Sequence, residues 1–212
     1  MKRKIYHKET GVYVDWKQIS QLPKIDNFVD IGVGVGTPLF WKMYSKKRII
    51  CIDPLKLEPA IKLLKNMKYS YHQVAVGSKK GEKILNIEKK VGRSTLLRVR
   101  KKNFEGKPTK KIKVEIKTLD EVIKLTNTKG YYGIKIDVEG YELEVLKGAK
   151  KTLKNTRYVI VEARHNHLTF YNQYKLSDLV NLMNTNKFVL TKIITAKPFI
   201  ADLCFQPIKD VQ

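Results

Sequence analysis

The sequence predicts an α/β fold: an open, mostly parallel sheet of alternating strands and helices, closed by an antiparallel hairpin. Three observations carry this. Short apolar runs of strand length, Asn27–Ile31, Arg48–Ile52, residues 133–137 and residues 158–162, recur with stretches of helical spacing between them. These runs are nearly continuous in apolar residues, as strands covered on both faces are. The last stretch, 188–195 and 199–205 around Ala196-Lys197-Pro198, breaks the alternation and reads as two strands of a hairpin.

Residues 27–31 lead into Asp30-Ile-Gly32-Val-Gly34-Val-Gly36, and Pro38 in a first turn opens a helix over 38–44. The strand at 48–52 ends on Asp53-Pro54, and Ile61, Leu64 and Met67 give helical spacing to 57–66. Residues 69–76 form a third strand, closed by Gly77. The segments 81–89, 94–100 and 111–117 alternate apolar and polar residues and read as antiparallel strands inserted after that third strand. A short helix at 119–125, the strand at 133–137, an amphipathic helix over 142–153, the strand at 158–162 and a helix at 176–186 follow.

A chain of 212 residues with 42% hydrophobic content fits one domain, with residues 1–26 as an N-terminal segment and 78–117 as an inserted basic β region. Two cysteines give neither a disulfide framework nor a structural zinc cluster. No run reaches the roughly 20 apolar residues of a membrane span. The basic N-terminus turns polar without the apolar core of a signal peptide, so the expectation is a soluble, cytoplasmic chain. The net charge of +23 should draw the protein to polyanions. Thirty-six of the 43 basic residues are lysine and seven arginine, and residues 79–117 hold fifteen basic side chains against four acidic ones. That stretch is either a solvated lysine-rich hairpin or a wall over an acceptor cleft.

The glycine turn discriminates among nucleotide sites. A dinucleotide fingerprint wants its third glycine three residues after the second, where this chain has Thr37. The pattern instead is acid-x-Gly-x-Gly-x-Gly with Asp30 at the strand end, and a negative group there suits a cationic ligand better than a pyrophosphate. Asp53, at the tip of the second strand, is placed to accept both hydroxyls of a ribose; its other reading is a turn aspartate beside Pro54.

The stretch Ile134-Lys-Ile-Asp137-Val-Glu139-Gly140-Tyr-Glu142, with Val145-Leu146-Lys-Gly148-Ala149 and Leu153 after it, resembles the signature of the FkbM-like methyltransferases. Asp30-x-Gly32 with Gly36, Cys51-Ile-Asp53-Pro54, Ala75-Val76-Gly77 with Gly81, Gly92-Arg-Ser94-Thr-Leu96, Thr118-Leu-Asp120 and Ile160-Val-Glu162 follow in that family's order. Val33-Gly34 replaces its usual alanine-asparagine pair, and Asp53 its glutamate. The resemblance covers roughly residues 27–162. It implies a Rossmann-like class I methyltransferase sheet with a C-terminal antiparallel hairpin and an inserted β-hairpin region. The implied activity is O-methylation of a hydroxyl from S-adenosyl-L-methionine, commonly on sugars of glycans and glycolipids. Asp30, Gly32, Gly34, Gly36, Asp53, Pro54, Ala75 and Val76 are then the cofactor-binding candidates.

Methyl transfer needs an acceptor oxygen aligned with the methyl–sulfur axis and relieved of its proton. In an open parallel sheet the groups for this stand at the carboxyl ends of the strands. That selects Asp137, Glu139, Glu162 and His165, with His167 nearby. Asp137 ranks first, as base or metal-binding carboxylate, and its alternative is a cap of the following helix. Glu139 can orient the acceptor or the loop, Glu162 the acceptor or a metal, and His165 has an acidity suited to proton transfer. Asp137, Glu162 and His165 also compose a candidate divalent-metal site, although no tight ligand spacing marks one.

The partner expected is a hydroxyl-bearing, possibly anionic glycan. The net charge keeps two rivals open: a ribose 2′-O nucleic-acid methyltransferase and a non-enzymatic basic nucleic-acid-binding module. Against base methylation, the fourth strand ends in IKIDVEG and lacks the Asn/Asp-Pro-Pro-aromatic motif that holds a flipped base. A pure binding module has little need of both Asp30 and Asp53 beside the glycines.

Overall fold

A computed structural model describes residues 4–7, 12–15, 19–88, 93–100, 110–165 and 169–211. Its strands are β1 (Lys4–His7), β2 (Val12–Asp15), β3 (Asn27–Ile31), β4 (Arg48–Ile52), β5 (Tyr69–His72), β6 (Ala75–Val76), β7 (Gly81–Ile87), β8 (Lys110–Lys117), β9 (Tyr132–Ile136), β10 (Thr156–Arg164), β11 (Phe188–Ala196) and β12 (Ile200–Pro207). The helices are α1 (Pro38–Met43), α2 (Glu58–Leu64), α3 (Leu119–Thr126), α4 (Glu142–Lys147) and α5 (Leu176–Thr185).

Seven strands form the main sheet in the order β5-β4-β3-β9-β10-β12-β11. β5, β4, β3, β9 and β10 run parallel, and β12 returns antiparallel to both β10 and β11. The strand order reverses between β3 and β9, so their carboxyl ends frame the crevice where open α/β sheets bind ligands. A parallel sheet must be covered on both faces, and the period-2 alternation divides the core accordingly. Val29, Ile31, Ile134, Ile136, Val159 and Val161 pack beneath residues of α3, α4 and α5. Phe28, Ile49, Cys51, Tyr158 and Ile160 pack beneath Phe40 and Trp41 of α1 and Ala60 and Leu64 of α2.

The parallel sheet with its closing hairpin matches the expectation, and three local departures have physical causes. The third strand stops at His72, because Val74 N–H turns back to the His72 carbonyl at 2.9 Å. Ala75–Val76 then leaves the main sheet to pair with Ile116 and Lys117 of β8. The insertion is a three-stranded sheet, β6-β8-β7, rather than an all-antiparallel set. Residues 94–100 are not a strand; they make single bridges, Thr95 to Asn86 and Val99 to Phe170, because their two partners lie in different parts of the chain. The helix expected over 142–153 ends at Lys147. Asp120 draws the chain away there by accepting the N–H groups of Lys151 at 2.9 Å and Thr152 at 2.7 Å.

Candidate active site

The glycine turn after β3 is shaped by a contact across the switch point. Gly32 has φ +80°, and a Cβ on it would lie 1.7 Å from the carbonyl oxygen of Asp137. Only a residue without a side chain lets the ends of β3 and β9 meet this closely. The meeting is sealed by Asp137 N–H on the Ile31 carbonyl at 2.9 Å and Gly32 N–H on the Ile52 carbonyl at 2.9 Å.

Asp53 stands on the other side of this turn, at the end of β4. Its Oδ2 accepts the N–H of Gly34 at 3.0 Å and its Oδ1 that of Leu55 at 2.7 Å. Burial raises its carboxyl to about 6, against the lowering effect of these two bonds. Each oxygen keeps a lone pair for a further donor.

An open cleft runs over these strand ends. Gly32, Gly34, Asp53, Pro54, Ala75, Val76, Asp137 and Glu139 are in its wall, joined by Leu85, Ser94 and Leu96 from the insertion. Asp30 and Gly36 stand behind that wall. Asp30 is fully buried and accepts hydrogen bonds from Trp41 Nε1 at 2.8 Å and from Thr37 Oγ1, so it anchors the turn to the start of α1. Burial raises its pKa above the usual carboxylate range, with Lys135 opposing. Gly36 faces the Trp41 ring, which a Cβ there would meet at 2.8 Å.

The second half of the site is a carboxylate cluster. Asp137, Glu139 and Glu162 each bring an oxygen within 4.8 Å of the others. Two cations hold it together. Lys135, almost fully buried, donates to Asp137 Oδ2 at 2.9 Å, and Arg164 pairs with Glu139. Burial resists ionisation of Asp137, but Lys135 outweighs it and keeps the carboxyl below its usual range. The charge on Asp137, then burial and Glu139, drive Glu162 up to about 10, so at neutral pH Glu162 is a neutral acid beside an ionised Asp137. Burial also raises Glu139, against the pull of Arg164. The three carboxyls are a conceivable oxygen set for a divalent cation, yet Arg164 already occupies Glu139 and Lys135 occupies Asp137.

The turn that carries Glu139 is clamped from three sides. Glu139 has φ +53°, an uncommon conformation for a residue with a side chain. Its carbonyl accepts Thr95 Oγ1 at 2.7 Å, its carboxylate takes Arg164, and Glu142 Oε1 accepts the N–H groups of Gly140 at 2.9 Å and Val138 at 3.2 Å. Such over-determination of a strained residue marks a turn whose position matters. His165 does not join the cluster: its N–H bonds the Phe199 carbonyl at 3.1 Å and its ring lies 3.3 Å from the Lys197 carbonyl, at the hairpin turn. His167 lies outside the described residues.

Sequence reasoning missed Lys135, Glu142, Arg164, Thr95 and Asp202. Lys135 carried a legible signal, a lysine inside an apolar strand two residues from Asp137 and therefore on the same face. Asp202 joins the group through the antiparallel register that sets it opposite Glu162, which no local pattern encodes.

The sheet order is that of the class I methyltransferases. The model of the methyltransferase FkbM domain matches residues 30–190, and the chain belongs to that family. Among solved structures, the chain resembles the methyltransferase FkbM from Methylobacillus flagellatus KT with a TM-score of 0.57 and 17% identity, over 90% of this chain and 46% of that one. The chain thus spans about half the length of that relative. Magnesium protoporphyrin IX methyltransferase (ChlM) from Synechocystis PCC 6803, with bound SAM, aligns at TM-score 0.46 and 12% identity over 90% of this chain and 74% of that one. Ribosomal protein L11 methylase from Lactobacillus delbrueckii subsp. bulgaricus gives 0.46 and 10% over the same shares. Among curated proteins, none matches the sequence. No described helix is long and apolar enough to cross a membrane.

Proposed function

We propose that this chain is an S-adenosylmethionine-dependent O-methyltransferase acting on a hydroxyl, on a sugar of a glycan or glycolipid. The observation that carries the reading is one cleft with Asp53 on one side of the bare Gly32–Gly34 backbone and Asp137 on the other.

The chain's own groups fit such a cofactor. Asp53 offers free lone pairs to the two ribose hydroxyls, and Ala75, Val76, Leu85 and Leu96 line an apolar space suited to a purine. The buried Ser94 hydroxyl in the same wall has no hydrogen-bond partner among the described residues, a donor a ligand would satisfy. When bound, S-adenosylmethionine supplies a methyl group on a sulfonium, which is already a good leaving group, so the protein has chiefly to align the reactants.

Lys135 keeps Asp137 ionised, and the neutral Glu162 supports that charge from beside it. As the acceptor oxygen bonds to the methyl carbon and the carbon–sulfur bond breaks, the hydroxyl becomes strongly acidic. Asp137 then takes its proton, although a carboxylate held this low would be a poor base toward the free hydroxyl. Glu139, fixed by Thr95 and Arg164, orients the acceptor beside it.

The test is a tritiated-methyl transfer screen from S-adenosylmethionine to glycan, lipopolysaccharide, RNA and small-molecule hydroxyl fractions. Label in a sugar-containing fraction, stable to mild base as an ether is, supports the reading. Label on RNA alone, where the +23 charge would direct it, or on nitrogen, removes the sugar O-methyl assignment.

A further inference from the structure

Arginine is scarce in this chain, seven residues against thirty-six lysines, so its placement is informative. Arg157 shows a structural arginine: its guanidinium lies 3.7 Å from the Tyr131 ring centroid and makes two hydrogen bonds to Asp210, at 3.0 and 2.9 Å. Arg164 is likewise engaged by Glu139. Arg98 and Arg100 differ. Both lie over the ring of Tyr171, at 4.8 and 5.0 Å, but neither pairs with a carboxylate among the described residues. Arg100 Nε is buried without a hydrogen-bond acceptor among the described residues.

These two arginines are carried on a fixed scaffold. Arg100 N–H bonds the Thr169 carbonyl at 3.1 Å, Tyr171 N–H bonds the Arg98 carbonyl at 2.8 Å, and Val99 bridges Phe170 between them. That short ladder is attached to the active-site turn. A Cβ on Gly140 would meet the Phe170 ring at 2.6 Å and Leu97 Cδ1 at 3.1 Å, and Gly140 follows Glu139 directly. No described carboxylate lies within ion-pair distance of either guanidinium, so both charges remain available to an anion. The planar fork of each matches an oxyanion, and Tyr171, 42% exposed, holds the two guanidiniums close to the surface.

We propose that Arg98, Arg100 and Tyr171 form an anion subsite for the acceptor beside the turn that carries Glu139, and that the acceptor is an anionic sugar, phosphorylated or carboxylated. This rests on the methyltransferase reading and adds the substrate class. Lysines supply the general positive field, and the arginine pair supplies the specific contact.

The experiment is isothermal titration at fixed ionic strength, with and without saturating S-adenosylhomocysteine, using glucose 6-phosphate, glucuronate and glucose as probes. The variants are Arg98→Gln/Arg100→Gln and a control, Lys46→Gln/Lys65→Gln, which removes the same charge from exposed positions at the amino ends of β4 and β5. At least one anionic sugar should bind more tightly than glucose and lose about tenfold or more in affinity in the arginine variant, with the lysine control like the parent. Which anionic sugar binds separates phosphate from carboxylate. Equal binding by the arginine variant, an equal loss in the lysine control, or an RNA oligomer that holds these arginines more tightly than either sugar overturns the proposal. Arginine-dependent sugar binding in a protein that takes no S-adenosylhomocysteine would keep the subsite and remove the methyltransferase reading instead. Circular dichroism of both variants checks that the fold is kept.

Discussion

Asp53 Oδ2 accepts the backbone N–H of Gly34 at 3.0 Å, which ties the acid after β4 to the glycine turn after β3. The carboxylate is thus fixed on the wall of the cleft with lone pairs left over for a further donor. Its pKa of about 6 has a direct consequence. The ionised form accepts hydroxyl donors, so affinity for S-adenosylhomocysteine should fall as pH drops below 6, by about tenfold one unit lower. Asp53→Asn should bind more weakly at pH 7.5 and show little dependence between pH 5 and 7.5. Titration calorimetry across that range checks both; a parent affinity that is flat in pH removes Asp53 from the ligand's hydrogen bonds.

Gly32→Ala should destabilise the fold by about 3 kcal/mol or more, because the added Cβ falls 1.7 Å from the Asp137 carbonyl and the residue keeps a positive φ. Urea unfolding measures this. A change under 1 kcal/mol (within the ordinary range of surface substitutions) would mean that β3 and β9 do not meet there.

Lys135→Met should cost about 3–5 kcal/mol, since it leaves Asp137 without its buried cation. Combining it with Asp137→Asn should cost clearly less than the sum of the two single changes, and a double-mutant cycle in urea reads the coupling. Strict additivity would mean that the pair is not formed in solution.

Glu142, pushed up to about 7 mainly by burial, gives a stability effect of definite sign. Its folded value lies above its unfolded one, so its contribution is full below about pH 4.5 and is lost as pH rises to about 7. Glu142→Gln keeps an oxygen for the N–H groups of Val138 and Gly140 but cannot ionise. The variant should gain on the parent by roughly 3 kcal/mol between pH 4.5 and 7.5 in urea melts. A difference that does not change with pH contradicts the assignment.

Asp137→Asn should lower turnover of the acceptor found by methyl-transfer screening while leaving S-adenosylhomocysteine affinity within about twofold, a change of roughly 0.4 kcal/mol. Unchanged turnover would remove Asp137 from proton transfer.

The sheet was legible because its strands are buried on both faces and read as apolar runs, down to the ends of Asn27–Ile31 and Arg48–Ile52. Asp53 and Asp137 were legible for a related reason: each is the first polar group after such a run. What escaped depends on residues far apart in the chain. Thr95 finds the Glu139 carbonyl 44 positions away, Arg164 finds Glu139 across 25, and Asp120 takes the N–H of Lys151, past the helix that ends at Lys147, across 31. Neither hydrophobic period nor turn chemistry reports such pairings. His165 was chosen for its acidity, and tertiary structure placed it at the β11–β12 turn instead.

The most direct test of the central claim is calorimetric titration of the parent protein and Asp53→Ala with S-adenosylhomocysteine at pH 7.5. One site per chain is expected, with Asp53→Ala weaker by about 1–3 kcal/mol, the range for hydrogen bonds to a charged group. No binding by the parent, or equal binding by both proteins, would contradict the placement of the cofactor in this cleft.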